Sequence, residues 1–420
     1  MSAAARLPRL LEGAVIGRAM SMAEHARVHG VLPHPRSALI EQIEHAGLRG
    51  RGGALFPLAT KLSTVAGGAT RPVLVANGAE GEPASRKDRL LLESVPHLVL
   101  DGAVLAAEAI GAREAIICTK EGNAARALGG ALAERDAPSR GGVALNQALT
   151  PDSYLSGEET ALVNVLNGGP ARPTLVPPRP FERGVGRRPT LMANVETLAH
   201  VALIGRHGSA WFRELGTASE PGSTLITLSG TPAGTNVWEV GRGALLDDLV
   251  RSAGGAGAQL RAVLVGGYFG TWLDGSLYAD LTLEDAGLAA HGAALGCGVV
   301  HLFGAGACGP AEVTRVAFYM AAQSARQCGP CHFGLPAIAG ALEALRSGQA
   351  SARTEADLER WLGQVTGRGA CQHPTGAVRF VTSALDVFAA EWRDHAAYGA
   401  CSACAAPPRL PVPRPMAVAA

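Results

Sequence analysis

The sequence predicts an α/β chain in three parts: a domain with a parallel sheet and crossover helices, a small α+β unit, and a C-terminal four-helix bundle. Three observations carry this reading. Apolar runs alternate with helical patterns through the first half. Around Gly222 the texture changes to short runs of period two. From Glu312 onward, apolar residues recur at helical spacing in four segments separated by Gly and Pro.

Taken in order, VLVAN (Val73 to Asn77) reads as a buried strand, LVLDGAVLAAEAIGA as a crossover helix, and AIICTK as the next strand. TLITLSG, NVWEV, LLDDLV and RAVLVGG make the α+β unit, roughly Gly222 to Leu273. The longest stretch without Asp, Glu, Lys or Arg, Ala286 to Ala311, is long enough to span a bilayer. It is broken by glycines, His291, His301 and Pro310, and so reads as a buried strand with turns. EVTRVAFYMAAQSA, LPAIAGALEALRSG, TEADLERWLGQV and AVRFVTSALDVFAAEW are the four bundle helices. CAAPPRLPVPRPMAVAA reads as a flexible Pro-rich tail. The expected boundaries are 1–221, 222–300, 301–396 and 397–420.

The 420 residues allow two to four domains with a large core. A hydrophobic fraction of 47% against 17% charged excludes wholesale disorder, and a net charge of +1 offers nucleic acid no bulk attraction. Eight cysteines are too few for a disulfide scaffold, and no signal peptide is legible, so reduced thiols in a cytoplasm are expected.

Four segments could carry chemistry. GLRGRGGALFPLATKL offers Gly50, Gly52 and Gly53 with Arg51 and Lys61 nearby; backbone amides and cations of this kind suit a phosphate, and an ordinary Gly-rich turn explains the segment equally well. ANGAEGEPASRKDR places Glu80, Glu82, Lys87, Asp88 and Arg89 after a strand, where open α/β sheets bind ligands and where a solvated charge cluster is also common. In YLSGEETALVNVLNGG, Glu158 and Glu159 begin a helix, as capping residues also do. RRPTLMANVETLAHV puts Asn194, Glu196 and Thr197 at a loop-to-helix junction, where Asn194 is an equally good cap. GAGACG, at Gly304, Gly306 and Gly309, matches a dinucleotide fingerprint but lacks the acid about twenty residues on, and is rejected.

Cys118, Cys297 and Cys308 read as small buried apolar residues. Cys328-x-x-Cys331 and Cys371 offer three thiolates for an iron-sulfur cluster, with zinc and a redox dithiol as competing readings. Cys401-x-x-Cys404 is either a spare pair or a ligand pair.

In this order the segments resemble the flavoprotein subunit of respiratory complex I and the related diaphorase subunits of NAD-linked hydrogenases and formate dehydrogenases. The resemblance covers about Ala38 to His395 and rests on GRGGALFP, NGAEGEP with RKDR, SGEETAL and ANVET. It implies an FMN-binding α/β domain, a ubiquitin-like (SLBB-like) middle unit at 222–300, and a bundle carrying a 4Fe-4S cluster. It puts Gly50, Arg51, Gly52 and Lys61 near the FMN phosphate and ribityl chain. Asn77 and Glu80 fall by the flavin ring, with Gly157, Glu158, Glu159, Asn194 and Thr197 completing the pocket. Phe56 and Glu82 would face NADH, and Cys328, Cys331 and Cys371 match three of four cluster cysteines.

The departures from the family pattern are Ala79 for Asp, Leu55 for Gly, Leu58 for Thr, Ala325 for the first cluster cysteine, and Thr64, Val176 and Arg179 at aromatic and lysine positions of the nucleotide site. The expected activity is NADH:quinone or NADH:acceptor oxidoreduction, with NADH reducing FMN and single electrons passing to the cluster and on to an iron-sulfur partner or a quinone-linked complex. Neither nucleic acid nor a direct membrane span is expected. Cys401-x-x-Cys404, His332 and His373 are candidate fourth ligands. Two alternatives are a degenerate member serving as a scaffold and a flavoprotein reduced by a protein donor.

Overall fold

The computed structural model describes residues 7–33, 38–68, 70–135, 142–257 and 260–413. The first sheet has four strands, β1 (Val73–Gly78), β2 (Glu114–Lys120), β3 (Ala144–Thr150) and β4 (Thr190–Asn194), in the order β3-β2-β1-β4 and parallel throughout. β1 and β2 are almost continuously buried, as apolar runs covered on both faces should be. β3 lies at an edge and alternates between half-buried and exposed residues, so no apolar run announces it.

The strand order reverses between β1 and β4. The chain builds outward from β1 to β3, then returns to β1's other side. Asn77 and Asn194 are directly paired in register at the carboxyl ends of these two strands. That switch point is where open α/β sheets leave a crevice. Helices Pro96–Ala109 and Val195–Phe212 pack together on one face, close enough that a Cβ on Gly102 would meet Leu198 O at 1.8 Å.

The second sheet has β5 (Ser223–Thr231), β6 (Gly234–Gly241), β7 (Leu260–Val265), β8 (Thr271–Asp274) and β9 (Val299–Gly304), in the order β6-β5-β9-β7-β8. Two hairpins flank the helix Leu246–Ser252, and the last strand inserts in the middle, parallel to the first. This is the ubiquitin-like arrangement that the resemblance implies. Because β9 ends at Gly304, the unit reaches past residue 300.

The C-terminal part has helices Gly309–Ala322, Leu335–Arg346, Thr354–Val365, His373–Val387 and Ala389–Tyr398. AVRFVTSALDVFAAEW, expected as one helix, is two: Phe388 leaves helical geometry at φ −103°, ψ 25°. Its ring packs on Trp272 and Phe303, joining bundle to sheet.

The expected tail is corrected in part. Residues up to 413 are held against the fold: Glu312 accepts Arg409 N–H at 2.8 Å and Leu410 N–H at 3.2 Å, Tyr268 O–H donates to Pro411 O at 2.6 Å, and Leu410 is buried. A buried carboxylate gives the proline-interrupted chain the backbone partners that it cannot supply itself. The last seven residues lie outside the described ones. Among the described residues no single helix is long and apolar enough to cross a membrane; the bent pair Lys87–Ser94 and Pro96–Ala109 passes only when joined across a 98° break.

Candidate functional site

A cavity of about 520 Å³ opens at the β1/β4 switch point. Its walls come from all three parts of the chain: the glycine loop at Gly52 and Gly53, the segment Glu80–Glu82 after β1, Gly157 and Glu158, the turns at Gly266 and Gly296 of the second sheet, and Gln372 and His373 of the bundle. The volume lies in the range of small-molecule sites, roughly 300–1,000 Å³.

The glycine loop is closed by Gly50 N–H donating to Phe56 O at 2.9 Å and Leu58 N–H to Leu48 O at 3.0 Å. Its tip reaches the cavity. A Cβ on Gly52 would touch only Asn194 Cβ, at 3.4 Å, and one on Gly157 would have nothing nearer than 3.8 Å. Both glycines leave room on the cavity side that a ligand can use. Leu55, where the family pattern has Gly, still takes a φ of 50°, so the loop keeps a left-handed turn despite the side chain.

Asn77 Nδ2 donates to Gly157 O at 2.8 Å, and Asn194 Nδ2 donates to Asp88 Oδ2 at 2.7 Å. Asn194 Oδ1 also caps the helix Val195–Phe212 through Glu196 N–H. Cap and cavity wall are the same residue. Glu158 likewise caps its helix, accepting Thr160 N–H and Ala161 N–H, and lines the cavity. Glu80, at φ 38°, accepts Asp88 N–H at 3.0 Å and Arg89 N–H at 3.1 Å, fixing the start of the helix Lys87–Ser94.

Beneath these groups Lys87 is almost wholly buried. Its Nζ lies 2.6 Å from Asp88 and 2.9 Å from Glu196. Burial alone would lower its pKa; the two carboxylates outweigh that and hold the ammonium charged. Among the described residues no cation pairs with Glu82. Burial lifts its carboxyl to about 7, against hydrogen bonds from Tyr268 N–H, Ala84 N–H and Tyr154 O–H.

The other anticipated residues lie apart from the cavity wall. The Arg51 guanidinium is buried toward the second sheet, donating to Ser223 O at 3.1 Å with Glu196 at 3.9 Å, while Arg51 N–H donates to Thr197 Oγ1 at 2.9 Å. Both residues brace the loop from behind. Lys61 lies 3.7 Å from Glu159 and over the half-exposed Phe56 ring, 5.9 Å from its centroid. Tyr154, Phe269, Gln372 and Arg379, which nothing in the sequence singled out, also line the cavity, as do Cys297, expected as a buried apolar residue, and Lys87 and Asp88 of the charged segment after β1. The close glycines of GGYFG and GCG were the legible signal for the second-sheet wall.

The three anticipated cluster cysteines come together. Burial pushes the Cys331 thiol up to about 12, and the neighbouring Cys328 and Cys371 thiols add to it. Burial also raises Cys371, whose electrostatic neighbours include Glu158. Cys371 directly precedes Gln372 and His373 of the cavity wall, so the thiols stand next to the cavity. His332 is exposed, and His373 is buried with Nε2 at 2.8 Å from Met320 O. Cys401 and Cys404 are elsewhere, beside Cys308 and His395.

Residues 43–203 match the family model of the Nuo51 FMN-binding domain, and residues 311–395 match that of the NADH-ubiquinone oxidoreductase-F iron-sulfur binding region. The second NADH-quinone oxidoreductase F subunit of Rhizobium meliloti is 33% identical over 373 residues, covering 85% of this chain and 88% of the relative. The chain belongs to the family of NADH-quinone oxidoreductase F subunits. The F subunit of Escherichia coli is 31% identical over 373 residues, 84% of this chain and 83% of its own length. Among solved structures, the NAD+-reducing [NiFe]-hydrogenase in the H2-reduced state matches with a TM-score of 0.81 and 33% identity over 92% of this chain and 67% of that chain. The two segments matched to the models of this F-subunit family carry the cavity's glycine loop, Asn77 and Asn194, and the three grouped cysteines.

Proposed function

We propose that this chain is the NADH-oxidising flavoprotein of an electron-transfer complex, binding FMN in the 520 Å³ cavity and a 4Fe-4S cluster at Cys328, Cys331 and Cys371. The observation that carries the reading is the continuity of the two sites: Cys371 leads directly into Gln372 and His373 of the cavity wall. FMN supplies the conversion of a two-electron hydride donor into one-electron transfers.

The cavity fits such a group. Gly52 and Gly157 leave room for it, and the asparagines Asn77 and Asn194 stand at the switch point with polar atoms already oriented. Buried Lys87 sets a positive charge under a wall otherwise rich in carboxylates. Glu80 and Glu158 hold the ends of two helices in place, so their contribution is to fix the cavity's shape. Phe56, Lys61 and Glu159 form an adjoining group suited to a nicotinamide nucleotide. Gly50, Arg51 and Thr197 support the loop. The grouped thiols are soft donors suited to iron, with Ala325 leaving one ligand position to be filled from outside the cysteine set.

The electrons pass to a partner redox subunit carrying iron-sulfur centres, and the chain works in the cytoplasm. The test is chemical analysis of anaerobically purified protein: extracted flavin weighed by mass spectrometry, with iron and sulfide determined beside it. FMN with stoichiometric iron that disappears in Cys371→Ser supports the reading. A stoichiometric adenine dinucleotide refutes FMN, and absence of iron refutes the cluster.

A further inference from the structure

Cys308, His395, Cys401 and Cys404 were not expected to meet. Cys308 caps the helix Gly309–Ala322, His395 lies in the last turn of Ala389–Tyr398, and the C-x-x-C pair lies just beyond that helix. All four ligand atoms fall within 4.8 Å of one another.

The spacings have the scale of one ion. Cys404 Sγ is 3.5 Å from Cys308 Sγ and 3.9 Å from Cys401 Sγ, and His395 Nε2 is 3.3 Å from Cys308 Sγ and 3.9 Å from Cys404 Sγ. A tetrahedral zinc with sulfur at ~2.3 Å and nitrogen at ~2.0 Å separates its ligand atoms by roughly 3.5–3.8 Å. Thiolates of an iron-sulfur cube bind separate corners and stand further apart than thiolates sharing one ion.

The surroundings of His395 point the same way. Its Nδ1 lies 2.7 Å from Arg346 O, a carbonyl, so Nδ1 carries the proton and Nε2 turns a lone pair toward the sulfurs. Metal-ligating histidines are commonly oriented by such a bond from the other ring nitrogen. Cys308 Sγ also accepts Ala311 N–H at 3.4 Å as the cap of its helix, which fixes the sulfur's position within the group.

We propose that Cys308, His395, Cys401 and Cys404 bind a structural zinc ion, separate from the iron-sulfur site, that fastens the C-terminal segment to the bundle. Binding releases the thiol protons and involves no electron transfer. Four protein ligands close the tetrahedron, leaving no open position for substrate. The clasp lies immediately before the segment that docks on Glu312.

The test is metal analysis of the full chain by plasma mass spectrometry, with Cys401→Ser and Cys404→Ser measured beside Cys371→Ser. The expected result is about one zinc per chain in the wild type, lost in the two tail variants and kept in Cys371→Ser, whose iron is lost instead. Both tail variants alter half-buried or exposed residues, and retained flavin and iron will show that they fold. Cobalt-loaded wild type should show the visible bands of tetrahedral cobalt thiolate. Zinc absent from the wild type, zinc unaffected by the tail variants, iron lost with them, or a Cys401–Cys404 disulfide in the purified protein would each overturn the proposal.

Discussion

The Tyr154 hydroxyl donates to Glu82 Oε2 at 3.0 Å, and the same oxygen accepts Tyr268 N–H at 2.8 Å. Glu82 follows β1, Tyr154 begins the turn before the helix Glu159–Leu166, and Tyr268 lies in the turn that joins β7 to β8 of the second sheet. Tyr154 N–H also donates to Gln323 Oε1, just after the first bundle helix, at 3.0 Å. One buried carboxylate and one tyrosine thus bind together the parts whose junction forms the cavity.

This carboxylate should make stability depend on pH. With its pKa raised from 4.5 to about 7, Glu82 in the folded chain keeps a proton that the unfolded chain has released. Stability should therefore fall as pH rises between about 4.5 and 7, by about 3 kcal/mol at ~1.36 kcal/mol per unit. Thermal unfolding from pH 5 to 8 checks it. Glu82→Gln should flatten that slope; an unchanged slope would assign it to other groups.

Lys87→Met should destabilise the chain by roughly 3–5 kcal/mol, since it removes the nearest cation from Asp88 and from the fully buried Glu196, which keeps only the more distant Arg51. Adding Glu196→Gln should recover part of the loss. Urea unfolding of the single and double variants measures both, and additive losses would contradict the ion cluster.

Gly52→Val should empty the cavity without unfolding the chain. Gly52 is outside the left-handed region and its Cβ would meet only Asn194, so the side chain would project into ligand space. An overpacking cost of about 1–3 kcal/mol corresponds to a loss of affinity on the order of tenfold or more. Flavin absorbance per chain, with circular dichroism as the folding control, gives the answer; full flavin content would place the ligand elsewhere.

Glu312→Gln should loosen residues 409–411. Bonds to a charged acceptor contribute about 1.5–3 kcal/mol each, and the amides of Arg409 and Leu410 both use this one. Hydrogen exchange at these amides should accelerate on the order of tenfold or more. Unchanged protection would mean that Leu410 burial alone holds the segment.

How much of this the sequence disclosed depended on locality. β1 and β2 are continuous apolar runs, so their burial was legible; β3 is an edge strand and was not. Asn77 and Asn194 were legible because they stand at the carboxyl ends of apolar strands, and Glu80 because it follows one. Tyr154, Gln372 and Arg379 were not, because only the packing of three separate units brings them to one cavity. Arg51 shows the reverse limit: a glycine-flanked cation suggests an anion, but a buried carboxylate and backbone carbonyls 170 residues away claim its side chain. The Cys401 pair was left open between spare and ligand, and its partners Cys308 and His395 were not legible because they lie 96 and 9 residues before Cys404, at the ends of two different helices.

In the proposed function, NADH delivers electrons to a flavin beside an iron-sulfur site. The most direct test of this transfer is the anaerobic absorption spectrum of the purified protein before and after adding NADH. The expected result is loss of the oxidised-flavin bands, accompanied in low-temperature EPR by a reduced-cluster signal that Cys371→Ser removes. Flavin that is present yet unbleached by NADH, while another reductant bleaches it, would contradict NADH as the donor.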